Sequence, residues 1–147
     1  MTNLNKHLNI VIAEDDEDDY LLIVEALKLL DNVAFIHWAK DGEELLNYLN
    51  DCEGSDNPQK KLPSLIILDL NMPKKDGREA LNEIKTHPTH KSIPVVILTT
   101  SQANADISQA YKLGANSFIQ KPFKYQDFKV TMEVLQNYWL NIVKLPT

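Results

Sequence analysis

Leu65-Ile66-Ile67-Leu68-Asp69-Leu70-Asn71-Met72-Pro73 sets four aliphatic residues directly before a carboxylate, and an asparagine and a proline follow. A short, continuous apolar run bounded by turn residues reads as a strand covered on both faces. The run Leu65–Asp69 therefore predicts an interior strand that ends on a charge. The same pattern recurs at Asn9–Ala13, followed by Glu14-Asp15-Asp16, and at Val95–Thr99, followed by Thr100-Ser101. Two further runs complete the set: Ala34–Trp38, which alternates more, and the short Ser117–Ile119, which leads into Lys121.

Helical periodicity fills the gaps between these runs. Within Asp18–Leu30, residues Leu22, Ile23, Ala26, Leu27 and Leu30 fall on one stripe. Asp41-Gly42 opens onto Leu45, Leu46 and Leu49, and Gly77 onto Ala80, Leu81 and Ile84. Ile107, Ala110, Tyr111 and Leu113 stop at Gly114, a helix C-terminal signal. The polar stretch Glu53–Pro63 reads as a loop. Regular β-α alternation implies an α/β fold, a single doubly wound domain with helices on both faces of a parallel sheet. Such folds carry their sites at the carboxyl ends of the strands.

Composition narrows the function classes. At 147 residues the chain supports one domain. A net charge of −6 argues against general affinity for nucleic acid or anionic lipid. No apolar run is long enough to span a bilayer, and the first ten residues lack the order of a secretory signal. The lone Cys52 excludes an internal disulfide and fits a reducing compartment, so a cytoplasmic protein is expected.

The strand ends hold the chemistry. Asp16–Asp19 stand where the first helix begins, and solvated acids there suit the helix dipole. Glu14 and Asp15 cap a buried strand instead, and adjacent carboxylates near a third repel unless a cation joins them. Magnesium, with a few oxygen ligands and retained waters, suits that pair; Asp16 is the register alternative for either member. Asp69 lies too far before Gly77 to cap the next helix, which leaves it as nucleophile or ligand. Lys121 precedes Pro122 and is biased toward extended backbone, so it can reach across the strand ends as a fixed cation. Thr99 offers a hydroxyl beside them. Together these residues suit a magnesium-assisted transfer of a phosphoryl group onto an aspartate.

Glu14-Asp15, Asp69 in LDLNMP, Asp76-Gly77, Thr99, Leu113-Gly114-Ala115 and Lys121-Pro122-Phe123 occur in an order and spacing that resemble the receiver domain of bacterial two-component response regulators. The resemblance covers about residues 8–135. It implies a flavodoxin-like (βα)5 sheet in the order 2-1-3-4-5, with Asp69 as the phosphorylated residue. It further implies Mg2+ on Asp15, Asp69 and the backbone carbonyl of Asn71, with Glu14 acting through water. Thr99 and Lys121 would hold the phosphate and Phe118 would occupy the switch-aromatic position, without a tyrosine hydroxyl. Asn71 and Ser101 occupy positions that tune dephosphorylation in such domains. The partner would be a sensor histidine kinase or a histidine phosphotransfer protein. The alternative, a haloacid-dehalogenase-type phosphatase with Asp69 as nucleophile, usually places a second Asp where Asn71 stands and gives no reason for Glu14-Asp15.

The ending Asn141–Thr147 leaves no room for an output domain, so a stand-alone regulator is expected, with a helical extension over about residues 136–147. The long loop and the Tyr138-Trp139-Leu140 ending are similar to single-domain regulators that partner phytochrome-type kinases. Phe128, Met132, Leu135, Trp139 and Ile142 recur at three- and four-residue steps. Trp139 and Ile142 lie beyond the expected core, and this predicts a homodimer through that face.

Overall fold

The computed structural model describes residues 8–28, 33–57 and 60–146. Leu30 of the first helical stripe, and residues 58 and 59 of the expected loop, lie outside them. The elements alternate as β1 (Leu8–Ala13), α1 (Glu17–Leu27), β2 (Val33–Ala39), α2 (Gly42–Cys52), β3 (Leu65–Leu68), α3 (Gly77–Thr86), β4 (Val95–Thr99), α4 (Asn104–Leu113), β5 (Ser117–Gln120) and α5 (Tyr125–Gln136). A short 3-10 turn, His90–Ser92, precedes β4. All pairings are parallel and the strand order is β2-β1-β3-β4-β5.

The continuous apolar runs become the interior strands because both faces are covered. Val11, Ala13, Ile66, Leu68, Val95 and Ile97 pack with residues of α2, α3 and α4 on one side. Ile10, Ile12, Leu65, Ile67, Val96 and Leu98 pack with residues of α1 and α5 on the other. A two-residue side-chain period splits each strand between these two cores. Register then aligns the strand ends: Ala13 lies beside Ala39 and Leu68, Leu68 beside Ile97, and Thr99 beside Gln120.

Two expectations change. β3 ends at Leu68, one residue short of the expected Leu65–Asp69, so Asp69 stands just beyond the strand. The C-terminal stripe breaks after Leu135. Asn137–Ile142 is π-helical, and the Val143 amide donates to the Tyr138 carbonyl at 2.9 Å, five residues back. The wider turn inserts one residue into the period. Leu140 therefore takes the buried place after Leu135, while Trp139 is half-buried against the α1/α5 core and Ile142 is 61% exposed. The expected continuous stripe from Phe128 to Ile142 is therefore broken, and Trp139 and Ile142 differ in exposure.

Candidate functional site

Backbone ladder bonds carry the sheet one step past its strands and fix the site. The Glu14 amide donates to the Ala39 carbonyl (3.0 Å), Asp69 to Ala13 (3.0 Å) and Lys121 to Thr99 (2.7 Å). Glu14, Asp69, Thr99 and Lys121 are consequently buried at one edge, whereas Asp15 is exposed. The Trp38 indole donates to the Glu14 carbonyl at 2.7 Å. Gly77 approaches Asp69 closely and donates its amide to the Leu70 carbonyl at 2.9 Å.

One ammonium joins the carboxylates. Lys121 Nζ lies 2.6 Å from Glu14 Oε1, 2.9 Å from Asp19 Oδ2 and 3.1 Å from Asp69 Oδ2. Burial, and then the Asp69 charge, push Glu14 up to about 8 despite Lys121. Burial opposes the charge on Lys121, but Glu14 and Asp69 outweigh it and raise the ammonium above the ordinary lysine value. Glu14, Asp15 and Asp69 each offer an oxygen within 4.8 Å of the others. Three hard oxygen donors with one exposed member fit a divalent cation such as magnesium.

The remaining expected residues surround this centre. The Asn71 side-chain amide donates to Thr99 Oγ1 at 3.4 Å, and the Asn71 backbone amide donates to Asp69 Oδ1 at 3.2 Å. Phe118 is half-buried against the α2/α3/α4 core, and its amide donates to the Tyr111 hydroxyl at 3.1 Å. Ser101 turns toward α4, where its hydroxyl donates to Asp106, itself paired with Arg78 at 3.1 Å. Asp16, the register alternative, caps α1 by accepting the Asp19 amide, while Glu14 and Asp15 lie in the oxygen cluster with Asp69. Asp19, read from sequence as a solvated helix start, instead reaches Lys121. Its position one helical turn after Asp15 was the available signal.

A second group of candidate ligands, Glu53, His87 and His90, lies at the opposite end of the helices. His87 Nδ1 accepts the amides of Thr89 and His90, both at 3.1 Å. Its proton therefore resides on Nε2, 3.3 Å from Glu53 Oε1, and its role is to close the turn after α3. Among the described residues no helix is long and apolar enough to cross a membrane. Glu14 and Asp15, for which the phosphatase alternative has no use, share the cluster of Asp69.

Residues 10–133 match the family described as response regulator receiver domain. The probable methanogenesis regulatory protein FilR2 of Methanothrix harundinacea is 38% identical over 137 residues, covering 93% of this chain and 86% of its own. Response regulator Rcp1 of Synechocystis is 38% identical over 139 residues, with coverages of 93% and 92%. A crystal structure of the Mn(2+)-bound form of response regulator Rcp1 has a TM-score of 0.86 at 35% identity, over 95% of this chain and 99% of that one. The phosphorylated cyanobacterial phytochrome response regulator RcpA has a TM-score of 0.88 at 38% identity, over 96% and 99%. The chain thus belongs to the response regulator receiver family and is a phosphoacceptor of two-component signalling.

Proposed function

We propose that Asp69 takes a phosphoryl group from the phosphohistidine of a sensor histidine kinase or a histidine phosphotransfer protein. The observation that carries this reading is the buried ammonium of Lys121 within 3.1 Å of Asp69, beside two further carboxylates. An Asp69 oxygen forms the new bond to phosphorus while the bond to the imidazole nitrogen breaks, and the electron pair stays on that nitrogen. Asp15, Asp69 and the Asn71 carbonyl would hold Mg2+, and Glu14 would act on it through water; when bound, the ion would supply positive charge toward the incoming group. Lys121 and Thr99 hold the transferred oxygens. Asn71, beside Thr99, and Ser101, drawn toward α4, tune the lifetime of the acyl phosphate, and self-dephosphorylation is slow.

The relay follows from position. Thr99 is buried at the end of β4, and Phe118 lies beside Ile97 in the neighbouring strand. A hydroxyl drawn to phosphate vacates space that Phe118 fills, biasing the surface of α4, β5 and α5. Residues 1–147 act as one receiver unit, with a core of about 8–135 and the extension beyond it. The likeness to RcpA, a cyanobacterial phytochrome response regulator, supports a phytochrome-type kinase as partner, and the place of action proposed with it is the cytoplasm. A homodimer would pair through the C-terminal face, where Ile142 is exposed and Trp139 half-buried.

Labelling by acetyl phosphate with Mg2+ tests the assignment. Label is expected on the wild type and on Thr99→Ala, whose surface response on α4, β5 and α5 is reduced by NMR. It is expected to vanish in Asp69→Asn and on chelation. Undiminished label on Asp69→Asn ends the reading.

A further inference from the structure

An ammonium has three N–H donors. Those of Lys121 face Glu14, Asp69 and Asp19, and the side chain is only 4% exposed. Glu14 and Asp69 also belong to the oxygen cluster that fits a divalent cation; Asp19 does not. It approaches from another element. The Asp16 cap accepts the Asp19 amide at 3.1 Å and fixes the start of α1, from which the Asp19 side chain spans to the connection after β5. A residue 102 positions away in sequence thereby holds the charged end of Lys121.

We propose that Asp19 is a positioning residue for phosphoryl acceptance, acting through Lys121 rather than on the phosphoryl group. The inference rests on the reading of Asp69 as acceptor and deepens it. When a cation shares the charge of Glu14 and Asp69, their hold on the ammonium weakens, because each carboxylate divides its attraction between two positive partners. Asp19 stays a full partner. It keeps the flexible lysine head beside Asp69, where it meets the oxygens of the incoming group as the phosphorus–leaving-group bond opens. A long side chain without that anchor spreads over several rotamers, and misplacement of a charge-stabilising group slows the transfer.

The test compares wild type with Asp19→Asn, which keeps shape and removes charge, and Asp19→Glu, which keeps charge. Rates of labelling by acetyl phosphate are read at saturating Mg2+, Mg2+ affinity is read by calorimetry, and the Lys121 ε-nitrogen signal is followed by NMR in metal-free protein. Asp19→Asn should label roughly tenfold more slowly, with Mg2+ affinity unchanged and the Lys121 signal shifted and broadened. Asp19→Glu should recover most of the rate. Equal or faster labelling of Asp19→Asn overturns the proposal, as does an unmoved Lys121 signal. A rate loss matched by lost Mg2+ affinity also overturns it, since Asp19 would then be a ligand. Asp69→Asn runs in parallel: label retained there refutes the acceptor reading, while the Lys121 signal in the Asp19 variants still reports the contact.

Discussion

Gly77→Ala isolates the contact that holds Asp69 in place. A Cβ at Gly77 would lie 2.2 Å from the Asp69 carbonyl oxygen and 2.7 Å from the Leu70 Cα. Both atoms are backbone, so no side chain can swing aside. Restoring ordinary contact requires the segment after β3 to retreat by about 1 Å. Overpacking of this kind costs about 3 kcal/mol. Alanine offsets up to ~1 kcal/mol of that through its better helix propensity at the start of α3. The net loss is then about 2 kcal/mol, a fall in Tm of roughly 4–8 °C for a domain of this size. The functional effect should be larger, because a reacting atom misplaced by about 1 Å can slow a transfer by roughly a hundredfold. Thermal melts followed by circular dichroism, and acetyl phosphate labelling at a temperature where both proteins are folded, separate the two. A variant with the stability and labelling rate of the wild type would refute the argument that this close approach fixes the acceptor.

Burial, and then the Asp69 charge, lift the Glu14 carboxyl from its ordinary value of 4.5 to about 8 in the folded, metal-free protein. Between those limits the native state binds more protons than the unfolded state, so metal-free stability should fall as pH rises from 4.5 to 8; Glu14→Gln should flatten that slope in urea melts at a series of pH values. At the C-terminus, Leu140→Ala should cost about 2–3 kcal/mol, because the buried methyls leave a cavity near the end of the core. Ile142→Ala, on the exposed side of the π-helical turn, should cost less than about 0.5 kcal/mol. A loss for Ile142→Ala as large as or larger than that for Leu140→Ala would refute the shifted register.

Legibility in the sequence followed physical range. β1, β3 and β4 were readable because burial on both faces demands unbroken aliphatic runs, and the charges that stop those runs marked the edge where Glu14, Asp69 and Thr99 meet. Lys121 was readable only in company with them. Local spacing failed where a long-range or non-periodic effect decides the outcome. Asp19 carries the composition of a solvated helix start, and only the fold brings Lys121 to it. Leu140 joined the core because one wide turn shifts the period, and no residue type announces a π-helical segment. Ser101, expected at a position that tunes dephosphorylation, has its hydroxyl engaged by Asp106 from the first turn of α4.

Charge balance ties the centre together. Among the described residues, Glu14, Asp15, Asp19 and Asp69 outnumber the one lysine placed among them, and Glu14 and Asp69 are buried. Without a metal, the least costly relief is a proton on the most buried acid, which is why burial and Asp69 together raise Glu14 while Lys121 remains charged. A divalent cation offers the same relief and displaces that proton, so metal affinity should strengthen as pH rises toward 8. With a cation held by the carboxylates, the acceptor would meet an incoming anion with two positive partners, that cation and the Lys121 ammonium. An arrangement with either partner alone would leave Asp69 and the phosphoryl oxygens to repel one another along part of the approach.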